Sequence, residues 1–281
     1  MNIMIRLFHD LSNTCSKLTT QQYSTSFSSA IKLLHKDLRT PVYNIYGLVR
    51  FADEIVDSFH EHDKQALLKE FREETYRSID RRISLNPILN SFQQTIHQYE
   101  IPLALVDSFF KSMEEDLYKK VYDEQAYKEY IYGSAEVVGL MCLYVFCEGN
   151  RSSYDHLKPY ARALGAAFQK VNFLRDIKDD KELLDRMYFP GIDFKNFSEQ
   201  HKEKIESEIT ADFDHAYTGI KMLPPKARFG VYVAYRYYLT LFNKIKKTRP
   251  ALIFESRIRV PNYSKASILF IAGLRSQFKI L

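Results

Sequence analysis

Only 9 glycines and 9 prolines interrupt the 281 residues, and between them apolar residues recur three and four apart instead of alternating. Alternation would mark strands, whereas this spacing gathers apolar side chains on one face of a helix. The chain is therefore expected to be all-α. Its 46% hydrophobic and 27% charged residues are those of an ordinary globular protein. A chain of this length can bury one large core, so a single domain over residues 1–281 is expected.

Local signals divide the chain into helices. Thr40 and Pro41 read as the N-cap and first-turn proline of a helix that places Val42, Ile45, Tyr46, Val49, Ala52, Val56 and Phe59 on one side and runs to about His60. Asn86-Pro87 and Ile101-Pro102 open two more in the same way. Residues 123–147 form a long apolar helix whose Gly133 and Gly139 permit close contact with another helix or a ligand. A helix from Ser153 to about Leu184 precedes the Pro190-Gly191 loop. An amphipathic, charged helix over 198–222 leads to Pro224-Pro225 and an aromatic helix over 229–247. The final segment, 265–281, is apolar enough to dock on the body or on a membrane surface, and docking on the body is the expectation.

Several function classes are disfavoured. The net charge of +5 is spread along the chain without a basic tail, which argues against nucleic acid as a partner. Cys15, Cys142 and Cys147 are odd in number and lack CxxC spacing, so neither a disulfide framework nor a zinc site is expected, and a reducing cytoplasm fits. The N-terminus matches neither a signal peptide nor a transit sequence, and no stretch reaches the roughly 18 uninterrupted apolar residues that would span a bilayer.

Two stretches carry the chemistry. In Tyr46-xxx-Arg50-xx-Asp53-xxx-Asp57, two carboxylates lie one turn apart on one helix face; in Gln169-xx-Asn172-xx-Arg175-Asp176-xxx-Asp180, three oxygen-bearing side chains do. Both ladders sit among apolar residues, so their acidic faces are expected to look inward, where unpaired carboxylates demand a cation. Oxygen donors without histidine or cysteine select Mg²⁺, with Mn²⁺ as a substitute, and magnesium is usually shared between carboxylates and substrate phosphates. Arg50 and Arg175 are suited to gripping phosphate, or else pair with the acids beside them. The 20 tyrosines and 20 phenylalanines supply ring faces that can steady a cation in a dry pocket, although most are core filling.

These residues resemble the squalene and phytoene synthases, the head-to-head isoprenyl diphosphate synthases. The resemblance runs in order through Ser24-Thr25-Ser26-Phe27-Ser28, the Tyr46–Asp57 ladder, Tyr130-Ile-Tyr132-Gly-Ser-Ala-Glu-Val-Val-Gly139, the second ladder, Arg186-Met-Tyr-Phe-Pro190 and Tyr238. The run from Gly133 to Cys142 is most similar to bacterial phytoene synthases. Lys178 stands where the family commonly has glycine, and Glu136 where many squalene-type members have a small residue; neither change removes a metal ligand. The resemblance implies an isoprenoid-synthase helical bundle around a central cavity. It implies Mg²⁺ held by Asp53, Asp57, Asn172, Asp176 and Asp180, and diphosphate bound by Ser24, Thr25, Ser26, Tyr46, Arg50 and Arg175. Tyr130, Gln169 and Tyr238 would line the reaction centre. The implied activity joins two C20 geranylgeranyl diphosphates through a cyclopropyl diphosphate into phytoene, a step of carotenoid biosynthesis that uses no nucleotide cofactor. Squalene or dehydrosqualene formation from two C15 farnesyl diphosphates is the alternative, and a non-catalytic prenyl-lipid-binding scaffold the alternative from another class. The greasy product adds peripheral contact with the inner face of a membrane to the expectations.

Overall fold

Helices built on the three-and-four spacing account for nearly all of the computed structural model, which describes residues 3–183, 186–192, 197–254 and 258. No strand occurs among the described residues, whose only bridge pairs Val121 with Met187. In chain order the helices are α1 (Ile3–Tyr23), α2 (Thr25–Ile31), α3 (Lys36–Ser58), α4 (Lys64–Arg81), α5 (Pro87–Tyr99) and α6 (Leu103–Asp116). Then come α7 (Glu124–Ile131), a π-helical turn (Tyr132–Glu136), α8 (Val137–Cys147), α9 (Arg151–Leu183), α10 (Glu199–Met222), α11 (Pro225–Lys246) and the short α12 (Pro250–Ile253).

Several expected boundaries move. Helix α3 starts a turn before Thr40-Pro41, at Lys36, and carries Pro41 inside. The missing Pro41 N–H forgoes one early-turn bond, but the longer helix brings Leu38 to 0% exposure, and the His35 N–H is held by the Lys226 carbonyl at 2.8 Å. Phe59 falls just past the helix end and is exposed. Asn86 does cap α5, accepting from the Ile88 and Leu89 N–H groups, whereas at α6 Pro102 itself occupies the cap position and no side chain caps it. Helix α9 opens earlier than Ser153, because Asn150 accepts the Ser153 N–H at 2.9 Å and starts the turn at Arg151. Helix α11 likewise begins at Pro225, ahead of Phe229.

The expected continuous helix over 123–147 is broken by the π turn, which ends with the Val137 N–H bonded to Tyr132. The extra residue turns Ser134 and Ala135 toward the central cavity. Gly133 serves helix contact: a Cβ there would lie 2.5 Å from the Ser108 carbonyl of α6. By length and hydropathy the stretch Glu124–Cys147 could cross a bilayer, but α8 packs on α3, α6 and α9, and an all-round apolar helix in that position is a core helix. The free cysteines Cys142 and Cys147 are buried within it. The segment 265–281 lies outside the described residues.

Candidate active site

A cavity of about 610 Å³ runs between α3 and α9, closed by α2, α6, α7, the π turn, α8, α10 and α11. One end is acidic, lined by Asp53, Asp57, Asp176, Asp179 and Asp180; the other is apolar, lined by Leu34, Leu157, Ile220 and Leu223. Helix α3 reaches from Val42 at the apolar end to Asp57. Helix α9 reaches from Leu157 to Asp180 and presents Gln169 and Asn172 between. The two acidic ladders thus share one space, with an apolar chamber beneath them.

The electrostatics of that end fit a cation. Burial, then the neighbouring Asp57, pushes Asp53 up to about 7 against the pull of Arg50. Burial, then Asp176 and Asp57, pushes Asp180 up to about 8. That Asp180 feels Asp57, on the opposite helix, is the mark of two converging walls. These carboxylates are short of positive charge, and their donor atoms are all hard oxygens, the set that divalent magnesium takes. Among the described residues no group of three or more histidines, cysteines or acids is gathered tightly enough to hold a metal ion.

Both site arginines pair with acids of their own helix. Arg50 Nη2 bonds Glu54 Oε2, and its guanidinium lies over the Tyr23 ring, 4.3 Å from the centroid. Arg175 grips Asp176 with two nitrogens, Nε at 2.8 Å from Oδ1 and Nη2 on Oδ2. Both still line the cavity. Of the remaining anion-binding candidates, Tyr46 lines the cavity and stacks on Phe27 with centroids 5.4 Å apart. Burial, then Asp53, raises its phenol to about 12. Ser24 lines the cavity too, while its oxygen caps α2 by accepting the Phe27 N–H at 3.2 Å. Thr25 and Ser26 are outside the cavity lining, and Thr25 is exposed; the first turn of α2 carries them past the site.

The three reaction-centre candidates all face the cavity. Tyr238 donates to Asn172 Oδ1 at 3.3 Å, and Asn172 Nδ2 donates to Gln169 Oε1 at 3.4 Å. The Tyr238 ring lies flat on Phe168, with centroids 3.9 Å apart. Tyr130 is 3% exposed and packs among Tyr122, Phe173 and Tyr188. Its hydroxyl donates to Asp116 Oδ2 at 2.7 Å. Burial, then Asp116, holds the Tyr130 pKa well above the usual phenol value, so the hydroxyl keeps its proton.

Two functional side chains carried no role in the sequence reading. Asp116 ends α6, and the apolar spacing Val106, Phe109, Phe110, Met113 points straight at it, a signal masked by Glu114 and Glu115 beside it. Arg186, in the Arg186–Pro190 motif, is buried and spans the site: Nη1 meets Asp57 Oδ1 at 2.9 Å and Nη2 the Asp116 carbonyl at 2.8 Å. Its own N–H bonds the Asp180 carbonyl at 3.0 Å, tying the second ladder to the first. Burial works against its charge, but Asp116, Tyr188 and Asp57 outweigh it and raise its pKa above the ordinary arginine value. Burial pushes Asp116 up to about 7, opposed by Arg186 and reinforced by Asp57.

The squalene/phytoene synthase family model matches residues 20–264, which contain both ladders, the Tyr130 segment and Tyr238. The chain belongs to the squalene/phytoene synthase family. Its members are head-to-head prenyltransferases of isoprenoid and carotenoid biosynthesis. Among its relatives, a 15-cis-phytoene synthase of Paracoccus sp. (strain N81106 / MBIC 01143) is 26% identical over 94% of this chain and 91% of its own. A 4,4'-diapophytoene synthase of Staphylococcus haemolyticus (strain JCSC1435) is 23% identical over 68% of this chain and 67% of its own. The fold is that of a dehydrosqualene synthase solved with a ligand, at a TM-score of 0.83 and 19% identity, covering 97% of this chain and 98% of that one.

Proposed function

We propose that this squalene/phytoene synthase-family chain condenses two geranylgeranyl diphosphates head-to-head, through a cyclopropyl diphosphate, to phytoene. The observation that carries the reading is the single cavity that joins the Asp53/Asp57 and Asp176/Asp180 walls to an apolar chamber. Along α9 the lining residues Leu157 and Asn172 are 15 positions apart, about 22 Å of helix. An extended C20 prenyl chain, with carbon–carbon bonds near 1.5 Å, reaches about 19 Å, and a C15 chain about 14 Å. The longer chain uses that length, and the match to a phytoene synthase over 94% of the chain supports the same choice.

In this mechanism Asp53, Asp57, Asn172, Asp176 and Asp180 would hold Mg²⁺, for which Mn²⁺ can substitute. The bound ion would supply charge neutralisation to the departing diphosphate. Arg50 and Arg175 exchange their partners Glu54 and Asp176 for diphosphate oxygens, with Tyr46 and Ser24 donating hydrogen bonds at the mouth. Thr25 and Ser26 are proposed to contribute through the local backbone of α2. The rings of Tyr130, Tyr238 and Phe168 face the allylic cation and exclude water that would quench it. The amide of Gln169, locked by Asn172, orients the reacting ends. No reductant enters this sequence of steps. A hydrocarbon product has no affinity for water, so we expect release from a cytoplasmic enzyme to the inner face of a membrane.

A second reading, condensation of two farnesyl diphosphates, is favoured by the 4,4'-diapophytoene synthase relative. Purified protein incubated with each diphosphate, with Mg²⁺ or chelator and with or without NADPH, separates the two by the mass of the extracted hydrocarbon. A C40 product from the C20 substrate, independent of NADPH and lost with chelator, is expected. Only C30 product would move the assignment to the second reading, and no hydrocarbon from either substrate would leave a prenyl-lipid-binding scaffold.

A further inference from the structure

Asp116 is a buried carboxylate that none of the steps above uses. Its side chain is 3% exposed, with Oδ1 standing 3.5 Å from Arg186 Nη1. Oδ2 accepts the Tyr130 hydroxyl at 2.7 Å. Arg186 is itself held in place by Asp57 at 2.9 Å, Tyr188 Oη at 3.3 Å and the Asp116 carbonyl at 2.8 Å. The loop that carries Arg186 is pinned as well, since the Met187 N–H bonds the Lys120 carbonyl at 2.8 Å. Asp57, Arg186, Asp116 and Tyr130 therefore form one connected chain drawn from α3, the segment after α9, α6 and α7.

A phenol has one hydrogen to give. With that hydrogen on Asp116, the oxygen of Tyr130, beside the Tyr188 hydroxyl, keeps lone-pair density for the cavity it lines. The orientation matters next to a carbocation, because the positive end of an O–H dipole would repel the charge that the lone pairs stabilise. We propose that Asp116, braced by Arg186, is a positioning residue that turns the Tyr130 hydroxyl hydrogen away from the reaction space and presents its electron-rich oxygen and ring to the developing cation. The inference rests on the prenyltransferase reading, and it assigns a task to two residues lying outside the acidic ladders.

Asparagine at position 116 would reverse the polarity at constant shape. Arg186 draws the amide oxygen toward itself, the amide N–H₂ turns to Tyr130, and the phenol hydrogen is displaced into the cavity. The test is a double-mutant cycle of Asp116→Asn and Tyr130→Phe, assayed at pH 8 with saturating Mg²⁺ and whichever prenyl diphosphate the wild type consumes. Asp116→Asn is expected to lower kcat about 10- to 100-fold while KM for the diphosphate stays within about twofold. In the Tyr130→Phe background the same change adds less than about twofold, since there is no hydroxyl left to orient. Asp116→Ala, which removes the acceptor and frees the phenol hydrogen, follows the same pattern and replaces Asp116→Asn if that variant does not fold. Losses that multiply across the cycle, or a wild-type kcat in Asp116→Asn, would overturn the proposal alone. A wild type inactive on both diphosphates would overturn the functional reading and this one together.

Discussion

Asp53→Asn should make the cation-free protein more stable while destroying its activity. In the folded chain the Asp53 carboxyl titrates at about 7 instead of 3.8, because burial and Asp57 oppose its charge more than Arg50 supports it. A carboxyl raised in this way binds its proton more tightly folded than unfolded. It therefore costs no stability at low pH, and stability drains away as pH rises from about 4 through 7. At about 1.4 kcal/mol per unit, the ceiling at pH 8 is roughly 4 kcal/mol. The side chain opens onto a water-accessible cavity, so about 1–2 kcal/mol is the realistic share. Asparagine removes the charge and keeps the shape of the protonated acid. For a chain of 281 residues the gain corresponds to a melting temperature about 2–4 °C higher in chelator at pH 8, shrinking as pH falls and gone below about pH 4. Scanning calorimetry at the two pH values reads the stability, and hydrocarbon production in saturating Mg²⁺ reads turnover, which is expected to fall at least about 100-fold. A variant less stable than wild type at pH 8, a gain that does not depend on pH, or full turnover would each refute the view of this end of the cavity as a cation seat held open at a cost in stability.

Two further substitutions separate chemistry from packing. Tyr238→Phe keeps the stack on Phe168 and loses only the bond to Asn172; kcat should fall about tenfold with a stability loss of about 1 kcal/mol, read by steady-state rates and urea unfolding. Gly165→Ala would put a Cβ 2.8 Å from the Ala135 carbonyl and 2.9 Å from Glu136 Cα, both backbone. It should destabilise by about 1–3 kcal/mol and lower the melting temperature, because the π turn cannot yield as a flexible side chain would.

The contrast between what was legible in the sequence and what was not follows the range of the interactions. The all-α fold was legible because helical periodicity is local, repeated in every element and interrupted at few positions. The ladders were legible for the same reason: Asp53 and Asp57, or Asn172, Asp176 and Asp180, share a face by helix geometry alone. Boundaries set by burial, such as the start of α3 at Lys36, escaped because the burial of Leu38 outweighs the local preference of Thr40-Pro41 for a helix start. The π turn escaped because no local signal marks it, and its Gly133 sits against the Ser108 carbonyl of a helix well before it in the chain. Asp116 and Arg186 are the sharpest case. Each looks like one more charge in a polar run, and only the tertiary fold brings them to 3.5 Å from one another, 70 residues apart in the chain. Such a pair is costly to bury, and its desolvation is offset only when every atom finds a partner. Arg186 meets that condition through Asp57, Tyr188 and the Asp116 carbonyl, whereas Asp116 spends one oxygen on Tyr130 and leaves Oδ1 without a hydrogen bond. Packing alone would favour an apolar side chain there, so the presence of a carboxylate beside a cavity-lining phenol is the physical reason to look for its purpose in the reaction.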